Sequence, residues 1–125
     1  MIAFEIAVDG QKTCTAGVAH EGVTSVIASW VRRPSLDPTT DEAIPGRFEE
    51  ELTLDAGGLT RDPDGAAVRL GWLRHPLKVG QQITLTIVET PEADPPRTRD
   101  REDPSLAQRR KRQYYERLKR ELGEA

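Results

Sequence analysis

One alternation constrains this chain more than any other feature. In the stretch from Gly71 to Glu89, Ile83, Leu85 and Ile87 recur at every second position with Thr84 and Thr86 between them. A period of two with β-branched residues specifies an extended strand and excludes a helix. A lone strand or hairpin is barely stable in water, so this segment requires further strands beside it. Pro76 and Gly80 mark the connection that feeds it.

The preceding sequence offers such strands. Ile2, Phe4, Ile6 and Val8 alternate with Ala3, Glu5 and Ala7, and Asp9-Gly10 is a tight-turn signal. A three-residue loop, Asp9-Gly10-Gln11, places Cys14 opposite Ile6, Ala16 opposite Phe4 and Val18 opposite Ile2. A two-residue loop places Thr13 and Thr15 there instead. Register follows the buried face, which favours the first arrangement. A turn at Ala19-His20-Glu21-Gly22 leads into Val23–Val31, apolar on both faces, as expected of a central strand buried on both sides or of a strand under a covering element. Arg32-Arg33-Pro34 is expected to end it.

Residues 34–47 carry three prolines without periodicity and read as a long loop, either a functional segment or a mobile crossover between sheets. Phe48, Leu52 and Leu54 resume the alternation, with Glu50 out of step and suited to an edge. Gly57-Gly58 suggests a bulge. Asp62-Pro63-Asp64-Gly65 has the residues of a type I turn. It joins Asp55–Arg61 to a strand on which Val68, Leu70 and Trp72 share a face. The sum is six or seven short strands, an antiparallel β-sandwich or barrel over residues 1–90.

After Thr90 the composition changes. Residues 91–103 read as a linker rich in proline and charge, and residues 104–123 as an amphipathic helix. Asp103 suits its N-cap, Pro104 its first turn and Gly123 its end. Ala107, Lys111, Tyr114, Tyr115, Leu118 and Leu122 fall within about 100° of arc, the width of a docking stripe. The helix is expected to pack on the β domain or on a second copy.

Charge divides along the same boundary. Residues 1–95 hold eight basic and fifteen acidic side chains, net −7, and residues 96–125 hold ten and six, net +4. The chain lacks an 18-residue apolar run and a basic, apolar leader, and its single cysteine excludes an internal disulfide. These features point to a cytoplasmic protein that neither spans nor lies on a membrane.

Chemistry finds little purchase here. Cys14 with His20 is the one pair that suggests nucleophilic catalysis. An inward Cys14, however, behaves as a small apolar residue. Zinc-ligand spacings, a calcium loop and a glycine-rich phosphate loop are missing from the sequence, so no cofactor is expected. Arg109, Arg110, Lys111 and Arg112, beside Tyr114 and Tyr115, can neutralise phosphates and stack bases. The acidic whole repels phosphate at range, which ranks nucleic acid second. The leading expectation is a non-catalytic protein-binding module of accessory, inhibitory or immunity type. Its partner is another protein or a second copy, and its candidate surface is Arg109–Arg112, Tyr114, Tyr115, Leu118 and Leu122. An enzyme with a site near His20 or His75 is the remaining alternative.

Overall fold

The computed structural model describes residues 1–123. Among the described residues, seven strands precede one helix. β1 (Ile2–Val8), β2 (Gln11–Ala16) and β6 (Ile83–Glu89) form a three-stranded antiparallel sheet in the order β2-β1-β6. β3 (Gly22–Leu36), β4 (Ala43–Arg61), β5 (Ala67–Pro76) and β7 (Thr98–Arg101) form a four-stranded antiparallel sheet in the order β3-β4-β5-β7. The sheets pack face to face as a sandwich. Ile6, Cys14 and Ala16 from one meet Leu54, Val68, Leu70 and Trp72 from the other.

The first hairpin pairs Ile6 with Cys14 and Phe4 with Ala16, so the apolar residues share a face. The route differs from the expected three-residue loop. Val8 pairs with Gln11 across a two-residue turn, with Asp9 at φ 51° and Gly10 at φ 77°. The register then shifts between Ile6 and Ala7, leaving Thr13 as the extra residue. Thr13 Oγ1 donates to the Ile6 carbonyl at 2.9 Å, which holds the bulge. Turn chemistry therefore set the loop and a bulge restored the buried face. β2 stops at Ala16, before Val18 can pair with Ile2, and Val18 packs on the core from the following turn.

A second bulge lies between Ala56 and Gly57, where the extra residue is Trp72 on β5. It brings Trp72 and Leu73 into the core together, at 2% and 8% exposure. The Asp62–Gly65 turn forms as the sequence indicates, closed by Gly65 N–H donating to the Asp62 carbonyl at 2.9 Å.

The larger departures concern β3, β4 and the segment after β6. β3 is an edge strand, not a central one, and Val23, Ile27, Trp30 and Val31 are exposed. Pro34 does not end it. At an edge the missing N–H costs no ladder bond, and Pro34 sits opposite Phe48. The supposed loop 34–47 is the far end of a β3–β4 hairpin, whose turn is confined to residues 37–42. β3 and β4 run to 15 and 19 residues, so the strands are not uniformly short. β6 lies at an edge, with Leu85 and Ile87 exposed. Within residues 91–103, Thr98–Arg101 forms β7 beside β5 rather than free linker.

α1 (Pro104–Glu121) begins as its sequence requires, Asp103 Oδ1 accepting from the Ser105 N–H at 2.9 Å. Gly123 follows its end at φ 80°.

Candidate interaction surface

β4 pairs with β5 only from Thr53 to Arg61. From Ala43 to Leu52 its only strand partner among the described residues is β3, so Trp30–Leu36 and Ala43–Leu52 form a two-stranded arm extending beyond the sandwich. The registers Trp30↔Leu52, Arg32↔Glu50 and Pro34↔Phe48 put these six residues on one face. It is the same face that, one row nearer the body, carries Ala28 and the fully buried Leu54. The core-side face of the sheet thus continues along the arm, with its apolar residues interrupted by the Arg32–Glu50 row. Trp30 is 61% exposed and Phe48 49%.

Ion pairs span the two strands of the arm. Arg32 lies over the Phe48 ring at 4.1 Å and 3.5 Å from Glu50. Arg33 reaches Glu51 at 3.0 Å and Glu49 at 3.8 Å. Exposed pairs of this kind are worth about 0–1 kcal/mol each. At the tip, the Asp37 carboxylate accepts from the Thr39 N–H at 2.8 Å and the Thr39 hydroxyl at 2.5 Å. Those bonds hold its pKa below the usual carboxylate value.

The second surface is α1. Tyr114, Tyr115 and Leu122 are exposed and Leu118 is partly covered. Arg109, Arg110, Lys111 and Arg112 are all exposed. Arg110 Nη1 donates to Glu102 Oε1 at 2.5 Å, and Arg117 stands 5.6 Å from the Tyr114 ring centre. Among the described residues, no strand packs extensively on the helix. The place of Ala107 in the stripe lies outside the described side chains.

The residues considered for chemistry are dispersed. Cys14 is 5% exposed within the core, and burial pushes its thiol pKa up. His20 is exposed in the β2–β3 turn, at a recess of about 510 Å³ shared with Met1, Asp62 and Trp72. His75 sits on β5 opposite Leu54. Among the described residues, no three His, Cys, Asp or Glu side chains gather in a way that could hold a metal ion. No described helix is long and apolar enough to cross a membrane.

From sequence, the candidate surface falls on the helix, and residues 34–47 read as a loop rather than as the end of a hairpin. A partial signal was present: basic Arg32-Arg33 and acidic Glu49-Glu50-Glu51 flank the Asp37–Glu42 turn, though at unequal distances that a register shift between Pro34 and Leu36 absorbs. Opposite charges on the two sides of a turn suit a hairpin with cross-strand ion pairs. In comparison with family models, curated proteins and solved structures, the chain matches none.

Proposed function

We propose that this chain is a non-catalytic protein-binding module of accessory, inhibitory or immunity type, binding through the β3–β4 arm. The observation that supports it is a two-stranded ribbon that carries exposed Trp30 and Phe48 on the face continuing from the core, with the Arg32–Glu50 row between them. A ribbon of two strands is marginal by itself, and large aromatic side chains left exposed on one face mark interaction sites. Aromatic and arginine side chains in one patch are the residues that dominate binding energy at interfaces.

Phe48→Asp tests the reading, since it alters the patch without touching the core. With the parent chain immobilised in native lysate, a retained protein, whether foreign or a further copy of the chain, should be lost with the variant. In dilute solution its circular dichroism and melting should match the parent. Equal retention by both would remove the arm from the binding surface.

A second reading rests on α1, where Arg109–Arg112 and both tyrosines face solvent together. If that face holds nucleic acid, retention on single-stranded DNA will fall steeply with salt and with Arg109→Gln/Arg110→Gln.

A further inference from the structure

The chain exposes two apolar surfaces of opposite charge, and it cannot bring the outer one of the arm, at Phe48, to the tyrosines of its own helix. The arm, residues 30–52, holds three basic and six acidic side chains, net −3. Helix α1, residues 104–121, holds seven basic and two acidic, net +5. The arm presents Trp30 and Phe48, and the helix presents Tyr114, Tyr115 and Leu122. A helix of this length draws most of its order from packing of its apolar stripe, and a two-stranded ribbon has the same need.

Reach decides where the helix can pack. Glu102 N–H donates to the Ala67 carbonyl at 2.8 Å, and Ala67 pairs with Arg61, so α1 starts at the Arg61 end of β4. Phe48 lies thirteen residues up β4 from Arg61, about 43 Å away at the usual strand rise. Along the helix, Tyr114 and Leu118 lie only about 15 and 21 Å from Pro104 at the usual helical rise. Whatever direction the helix takes, its tyrosines and Leu118 fall short of Phe48 in the same chain.

We infer that α1 of one copy docks on the arm of a second copy, giving a reciprocal two-fold dimer in which the Tyr114, Tyr115 and Leu118 stripe covers Trp30 and Phe48. This rests on the reading of the arm as a binding surface and names its occupant. A two-fold arrangement uses both contacts twice and closes, leaving neither surface open to further growth. Opposite charge aligns helix with arm and makes association salt-sensitive, while the aromatic and leucine contacts supply its strength.

Sedimentation of the full chain should show a monomer–dimer equilibrium that weakens as salt rises. Phe48→Asp alone and Leu118→Asp alone should each weaken it by more than about tenfold. Mixing the two variants should recover a heterodimer, because one arm and one helix remain intact in the pair. A cross-link fixes the geometry. Under a mild added oxidant, Phe48→Cys mixed with Leu118→Cys, one chain carrying a size tag, should form a mixed disulfide between chains, while Phe48→Cys/Leu118→Cys in one dilute chain should form no disulfide within itself. The parent, whose Cys14 is buried, controls for background. A chain monomeric at about 100 μM overturns the inference, as does a dimer in which the mixed disulfide does not form. If the chain is monomeric but Phe48→Asp still abolishes capture of a foreign protein, the arm binds that protein and the dimer alone is wrong.

Discussion

Trp72 Nε1 donates to the main-chain carbonyl of Asp94 at 2.7 Å, so the largest side chain in the core is tied to the segment leaving the opposite sheet. Asp94 is held in turn by β2: its N–H donates to the Thr15 carbonyl at 3.0 Å, and its carboxylate accepts from the Thr15 N–H at 2.8 Å. One residue therefore closes the outer edge of β2 and receives the indole of the β5 bulge. The clamp joins the two sheets where residues 91–97 pass between them.

Trp72→Phe keeps most of the apolar volume and removes the donor, and should cost about 1–3 kcal/mol. Trp72→Ala also opens a cavity and should cost about 3–5 kcal/mol. For a domain of this size, with total stability of about 5–15 kcal/mol, the second change unfolds a visible fraction. Urea unfolding followed by circular dichroism gives both values. Equal costs would mean that the hydrogen bond, not the packing, carries the effect.

Cys14 should be inert in the folded chain. Its thiol is buried against Ile6, and burial raises its pKa, so little thiolate exists at neutral pH. Labelling by a thiol reagent should be slow in buffer, fast in denaturant, and track the free energy of opening as urea is added. Rapid labelling of the folded protein would revive a nucleophilic role.

Asp62 should make stability pH-dependent in acid. Arg101 donates to its carboxylate, as do the Ala66 N–H at 2.9 Å and the Asp64 N–H at 3.0 Å, and its pKa falls below the ordinary 3.8. A depressed folded-state pKa gives stability that is complete above the unfolded value and is lost as pH falls through the folded one. Melting temperatures of the parent and Asp62→Asn should therefore differ most above pH 3.8 and converge below it. A constant difference down to the lowest pH would show that the turn, rather than the charge, is at stake.

These contacts show which levels of the fold were legible in sequence. The strand pairing of Ile6 with Cys14, the Asp62–Gly65 turn and the Asp103 cap were readable because each follows from local chemistry within a few residues. The position of β3 was not. Val23, Ile27 and Val31 alternate like buried residues, yet nothing local says whether a neighbouring strand will cover them. Edge and centre depend on strand order, which is a long-range property. The arm was hidden for a related reason. Pro34, Pro38 and Pro45 read as breakers because proline cannot serve a ladder on both sides, and only an edge makes two of them strand residues. β7 was missed because Thr98–Arg101 has no apolar residue, and its pairing with Val68–Gly71 is backbone alone.

Helix α1 should contribute little to the stability of the isolated β body. Because no described strand packs extensively on it, ending the chain after Asp103 should change unfolding free energy by no more than about 0.5 kcal/mol in dilute solution. At concentrations that populate the dimer, the full chain should gain stability and the shortened one should not. A large loss in dilute solution would place the helix against its own body.

Amide exchange along β4 should separate the arm from the body within one strand. From Thr53 to Arg61, β4 is bonded on both sides, to β3 and β5, and carries the buried Leu54 and Ala56. From Ala43 to Leu52 it is bonded mainly to β3, and most of its side chains face solvent. Opening the second half exposes little apolar surface and breaks one ladder, whereas opening the first disrupts the core. At low concentration, protection should therefore step upward near Thr53, by well over tenfold, with residues 44–51 exchanging through local opening. Raising the concentration should protect the arm and leave the body unchanged, since docking adds a cover only to the arm. Uniform protection along β4 in the dilute monomer would mean that the arm is stable without a partner, and the physical reason for seeking one would disappear.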